Sequence, residues 1–181
     1  MIKHPIGIIV GPDVGNEAEA IRQTAEYFGF RVVIKHLGRP NDFVQTLAGK
    51  DRIFNQLKTW IFSVHGEEGQ FLLPELDESI YEPDEPRGKL GSDQIRSLAK
   101  LKKQTIINTG CTLGNQDLAQ AFLSQGAKAY IGANDYVEGN AALLFVHRLL
   151  YEQANKVKLA TAFKKASEMD SETALFQLFL P

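Results

Sequence analysis

The chain contains one cysteine, Cys111, at the end of the apolar run Gln104-Thr-Ile-Ile-Asn-Thr-Gly-Cys111-Thr-Leu-Gly114. An earlier run has the same design, Thr59-Trp-Ile-Phe-Ser-Val-His65-Gly66. Each reads as a buried strand that delivers one reactive side chain at its carboxyl end, followed by glycine or a glycine-bearing loop. Brought together, the two side chains would form a thiolate–imidazole pair. A neighbouring imidazole or a helix N-terminus lowers the pKa of a thiol and makes it a nucleophile. His65 could accept the thiol proton and later protonate a leaving amine. Gly66 has no side chain, so its N–H could approach a developing oxyanion closely. Glu67 and Glu68 could orient His65 or contact substrate. Taken singly, a cysteine at a strand end also serves as a small buried hydrophobe.

These residues need elements to position them. Pro5 to Gly11 is a short buried strand ended by Gly-Pro-Asp. Asn16 and Glu19 have the spacing of a capping box, opening a helix with Ile21, Ala25 and Phe28 on one face and Gly29 as its stop. Arg31 to Leu37 is a second strand. Asn41 or Asp42 caps helical material that Gly49 divides. Trp60 to Val64 is the third strand. Residues 67–89 carry Pro74, Pro83 and Pro86 and read as a hairpin or irregular excursion. A helix from Ser92 to about Lys100, a fourth strand over 105–108, a helix over 115–125, a fifth strand over 127–132 and helices near 140–154 and 158–169 follow. The tail Ala174 to Leu180 reads as a final strand or a short helix.

Alternation of this kind predicts a three-layer αβα sandwich with a mainly parallel sheet, as one domain over residues 1–181. In such sheets ligands bind beyond the carboxyl ends of the strands. His36, His65, Cys111 and Asp135 all fall there. His4 precedes the first strand and His147 lies within a helix.

The 181 residues are 44% apolar and 23% charged, with a net charge of −2 and scattered cations, which argues against nucleic acid or an anionic membrane as partner. A single cysteine forms no internal disulfide and points to a reducing compartment. No run nears the roughly 18–20 apolar residues of a membrane span, and Met1 to Pro5 does not begin a signal peptide, so a cytoplasmic location is expected. No cofactor is expected.

The order of these features resembles the clan CD cysteine peptidases, the group of caspases, gingipains, clostripain, legumain, separase and CHAT-domain proteins. There too a hydrophobic block ends in His-Gly and a second ends in a cysteine loop. Gly110-Cys111-Thr-Leu-Gly114, then Leu118 to Leu123, Gly126-Ala127 and Ala129-Tyr-Ile-Gly132, is similar to the segment after the nucleophile in gingipains and CHAT domains. The excursion rejoining at Leu90-Gly-Ser92 and the tail Phe176 to Leu180 fit the same pattern. The resemblance covers Trp60 to the C-terminus. Thr109-Gly110 departs from the small residues the family usually places before its cysteine.

The resemblance implies a caspase-like fold and hydrolysis of peptide bonds through a thioester, with a peptide or protein as substrate. His65 would be the base, Cys111 the nucleophile, and the N–H groups of Gly66 and Cys111 the oxyanion hole. Many relatives cleave after a basic residue held by an acid. Asp135, with Glu138 next, is the candidate for that acid, and Asn108 a further substrate-binding candidate. The apolar tail leaves open a homodimer built on the sheet edge.

Three rival readings remain. A catalytically silent caspase-like module, or a flavodoxin-like binding module, would use Gly11-Pro-Asp-Val-Gly15 to hold an anion at a helix N-terminus. Ile6 to Asp13 with Lys35 to Pro40 is superficially similar to carboxyaminoimidazole ribonucleotide mutases, without their serine-rich phosphate turn. A zinc site from His65, Cys111 and Glu67 has mixed ligands but no ligand-pair spacing.

Overall fold

The computed structural model describes residues 4–181. The chain runs β1 (Ile6–Val10), α1 (Glu17–Tyr27), β2 (Val32–His36), α2 (Pro40–Leu47), β3 (Thr59–Ser63), β4 (Gly66–Glu67), β5 (Gln70–Leu72), β6 (Lys89–Leu90), α3 (Ser92–Leu98), β7 (Thr105–Asn108), α4 (Gln116–Ser124), β8 (Ala129–Ala133), α5 (Gly139–Ala154), α6 (Leu159–Ser167) and β9 (Phe176–Phe179). Six strands form one sheet in the order β2-β1-β3-β7-β8-β9. All neighbours are parallel except β8 and β9. The tail is therefore a strand, preceded by a short 3-10 turn over Thr173–Leu175, and it covers the edge of β8.

The period-2 alternation of a strand sends its residues to opposite faces, and here both faces are buried. The register aligns Ile34, Ile8, Ile61, Ile107, Ile131 and Leu178 in one row across all six strands. That row packs with Ile21 of α1, Phe145 and Leu149 of α5 and Ala162 of α6. Phe145 and Phe176 stack with ring centroids 3.9 Å apart. The opposite face is aromatic. Trp60 and Phe62 of β3 and Tyr130 of β8 meet Phe43 of α2 and Phe122 of α4.

The excursion after β3 is a second, antiparallel sheet, β4-β5-β6. Its Phe71 is fully buried and sits 5.1 Å from Phe43, 5.6 Å from Phe62 and 6.0 Å from Phe122, ring centre to ring centre. The small sheet is thus anchored on the aromatic core. Its long return loop is latched by Glu85, whose side chain has no exposed surface. The Glu85 carboxylate accepts from Arg39 Nε at 2.9 Å, Arg39 Nη2 at 2.6 Å, the Asn41 N–H at 2.7 Å and the Glu82 N–H at 3.0 Å. A buried carboxylate is tolerated because every lone pair that faces the protein is met.

Two helix caps differ from the sequence reading. Asn16 occupies the N-cap of α1 but its side chain makes no cap, and Glu19 pairs with Arg22 at 3.3 Å. Helix α2 begins earlier, at Pro40, because proline suits the first helical turn and the Asp42 carboxylate reaches back to the N–H groups of Gly38 and Arg39. Among the described residues no helix is long and apolar enough to cross a membrane.

The Arg39 guanidinium lowers the Glu85 pKa from 4.5 to about 2. A carboxyl depressed in the folded state stabilises it above the unfolded value, and loses that contribution as pH falls through the folded value. The stability advantage of the wild type over Glu85→Gln in urea unfolding is therefore full at pH 7. It shrinks between about pH 4.5 and about pH 2; a constant difference down to pH 2 contradicts the latch.

Candidate active site

Strands β3 and β7 are neighbours, paired through Phe62 opposite Asn108. Their exits therefore lie side by side, and each carries a reactive residue three positions beyond that pair, His65 and Cys111. His65 and Cys111 both line one cavity of about 210 Å³, together with Asp13, Val14, Glu17, Val64, Thr109, Gly110, Val137 and Gly139. His65 is exposed at its mouth and Cys111 is partly buried. His36 ends β2, the outermost strand, with β1 between it and β3, and it does not reach this cavity.

Glycine makes the approach possible. A Cβ at Gly66 would stand 2.2 Å from the Cys111 carbonyl oxygen, and a Cβ at Gly110 would stand 2.4 Å from the Val64 carbonyl oxygen. Any side chain at either position forces the two exits apart. On the far side of the cysteine loop, a Cβ at Gly114 would lie 2.3 Å from the Gly132 carbonyl oxygen. The loop is thus wedged between β3 and β8 by backbone contacts.

Hydrogen bonds then fix it. The Thr112 N–H donates to the Asp135 carbonyl at 3.0 Å and the Gly114 N–H to the Ala133 carbonyl at 2.6 Å. Tyr130 Oη donates to the Leu113 carbonyl at 2.7 Å, and burial pushes its pKa up, which keeps it a donor. Thr112 itself has φ +58°, a conformation that a β-branched residue adopts only under strain. Its hydroxyl accepts from the Gly69 N–H at 3.0 Å, tying the small sheet to the cysteine loop.

The imidazole is held from the other wall. His65 Nε2 lies 3.2 Å from the Asp13 carbonyl oxygen. A carbonyl only accepts, so Nε2 carries the proton and Nδ1 is the basic nitrogen of the neutral ring. Asp13 presents this carbonyl from the loop between β1 and α1 with φ +57°. Cys111 Sγ donates to the Val137 carbonyl at 3.7 Å. Imidazole and thiol thus line the same cavity but are held by different backbone carbonyls, those of Asp13 and Val137.

The floor holds a carboxylate that sequence reasoning placed only as the first residue of a helix. Glu17 Oε1 accepts from Ser63 Oγ and from Thr109 Oγ1, both at 2.6 Å. Ser63 lies two residues before His65, and Thr109 two residues before Cys111. One oxygen therefore clamps together the strand ends that carry the pair. This gives Thr109, the departure from the family pattern, a structural role. The signal was not local: the partners are 46 and 92 residues from Glu17.

The remaining candidates lie apart from the cavity wall. Asn108 is fully buried and donates to the Ile131 carbonyl at 2.9 Å within the sheet. Asp135 is exposed and accepts from the Tyr136 N–H at 2.7 Å. Glu138 is exposed and its N–H donates to Glu172 Oε2 at 3.0 Å. Both acids flank Val137, which does line the cavity. Among the described residues no cluster of His, Cys, Asp and Glu is arranged to hold a metal ion.

No family model and no curated protein sequence matches the chain. Solved structures do. The Arg-specific cysteine proteinase gingipain R matches 97% of this chain with a TM-score of 0.62 at 11% identity. The separase of Saccharomyces cerevisiae, solved in complex with securin, matches 99% with a TM-score of 0.60, also at 11% identity. The fold is caspase-like. The chain spans 46% of the gingipain structure and 12% of the separase structure. At this identity the likeness concerns architecture, the mainly parallel six-stranded sheet between two helical layers.

Charge-assisted O–H···O bonds contribute about 1.5–3 kcal/mol each. Groups that share a bond also couple. In urea unfolding, the Glu17→Ala and Thr109→Val substitutions should therefore show a coupling energy of about 1–2 kcal/mol, the double variant losing less than the sum. Strict additivity would mean that the clamp carries no energy.

Proposed function

We propose that this chain is a cysteine peptidase, or the peptidase unit of a longer protein, acting on peptide or protein substrates. The observation that carries the proposal is that His65 and Cys111 follow adjacent parallel strands and line one cavity. A substrate carbonyl entering between them would meet Sγ on one side and Nδ1 on the other. Catalytic hydrogen bonds are often long before substrate binds.

In the proposed reaction the Cys111 proton passes to His65 Nδ1 as Sγ bonds to the carbonyl carbon. The oxyanion is met by the N–H groups of Gly66 and Cys111. The C–N bond then breaks, and the imidazolium returns its proton to the leaving amine. A water, deprotonated by His65, attacks the thioester and releases the acid and the thiol. The Asp13 carbonyl supports the imidazolium through Nε2. Asp135 and Glu138 sit on the loop bearing Val137, where they would meet substrate flanking the cleaved bond, and Asn108 would act only by fixing the end of β7. The thiol chemistry suits a reducing compartment such as the cytoplasm.

The second reading is a catalytically silent caspase-like binding module. It is favoured by the resting thiol, which donates to Val137 and not to the imidazole. Hydrolysis of a mixed peptide library separates the two. Under the peptidase reading His65→Ala and Cys111→Ser each reduce cleavage at least about 10³-fold, while His36→Ala leaves it within about twofold. Equal loss from His65→Ala and His36→Ala would overturn the assignment, and a wild type without activity would favour the silent module.

A further inference from the structure

His65 belongs to two cavities. Besides the chamber that holds Cys111, it borders a groove of about 560 Å³, which Asp13 also joins. The volume lies within the roughly 300–1,000 Å³ typical of ligand sites, whereas the cysteine chamber falls below it. The groove runs over the small antiparallel sheet. Leu72, Leu73 and Pro74 supply its apolar surface. The wall is tied directly to the histidine, since the Leu72 N–H donates to the His65 carbonyl at 3.0 Å. Phe71 beneath it is locked in the aromatic core, so the wall is rigid.

We infer that this groove receives the leaving side of the substrate, and that it selects an apolar residue just after the cleaved bond and rejects an acidic one. The inference rests on the peptidase reading above. Its logic is directional. Sγ bonds the acyl carbon, so the acyl part occupies the chamber of Cys111. The proton donor to the leaving nitrogen must lie beside that nitrogen, so the leaving segment continues past His65. The groove is what lies past His65.

Charge sets the second half of the preference. Asp13, Glu67 and Glu75 line the groove against one lysine, Lys89, and the His65 imidazole at its end. Lys89 Nζ is already bound to Glu67 at 2.5 Å. Two carboxylates thus remain without a cationic partner inside the groove. An acidic residue entering there would be repelled at short range, while an apolar one would bury against Leu72 and Pro74.

A digest of a peptide library, with the new N-termini sequenced by mass spectrometry, tests this in the wild type, Leu72→Glu and Glu75→Lys. Both positions carry solvent-accessible side chains outside the catalytic pair. The wild type should enrich Leu, Ile, Val or Phe over Asp and Glu at the first two new positions by at least about tenfold. Leu72→Glu should cut the apolar enrichment about tenfold, and Glu75→Lys should relax the rejection of acids. Alkylation of Cys111 should remain unchanged in both. Cleavage with no preference at those positions, or a preference that both substitutions leave intact, overturns the groove assignment and spares the peptidase reading. Absence of any cleavage overturns both.

Discussion

The site depends on one steric fact: the exits of β3 and β7 approach more closely than any side chain permits. Gly66 faces the Cys111 carbonyl and Gly110 faces the Val64 carbonyl at distances where a Cβ would overlap an oxygen. Parallel strands sit about 4.8 Å apart, and their chains usually diverge once the ladder ends. Here they stay together for three further residues, which is the length needed to bring a histidine and a cysteine to the same cavity. The contact between Gly114 and Gly132 does the same on the β8 side. Once wedged, the cysteine loop has little freedom, and the αL conformation of Thr112 is maintained by bonds to Gly69 and Asp135.

Polar groups then divide the work. The Glu17 carboxylate gathers the strand ends beneath the cavity. The Asp13 carbonyl holds the imidazole through Nε2, and the Val137 carbonyl receives the thiol. The small sheet contributes separately. It is anchored through Phe71, latched through Glu85 and linked to the cysteine loop through Gly69. It extends the surface beyond His65 while remaining rigid.

Much of this was legible in the sequence. The buried runs ending in His65-Gly66 and in Gly110-Cys111 announce strands whose ends carry chemistry, and alternating strands and helices imply the parallel sheet. The two C-terminal helices also follow from periodicity, whereas the tail stays open between a strand and a short helix until its pairing with β8 is seen. What escaped has a common physical character. Asp13 and Val137 act through backbone carbonyls, which leave no trace in side-chain type. Glu17 looks like an ordinary acid in a first helical turn, and its partners are distant in the chain. Asn108 looks available because it ends a strand beside the cysteine, yet alternation turns it into the sheet, where it serves Ile131. The start of α2 was displaced because an aspartate that reaches back to two N–H groups resembles a cap at its own position.

The central claim is that His65 acts on Cys111 across the cavity. The most direct test is the rate of Cys111 alkylation by iodoacetamide between pH 6 and pH 9, in the wild type and in His65→Ala. The single cysteine makes the readout unambiguous. The account predicts that the substitution slows alkylation near pH 7 by about tenfold or more, while the rates converge near pH 9, where an ordinary thiol is largely ionised. Superimposable profiles across the whole range would contradict it and leave Cys111 as a residue of the loop alone.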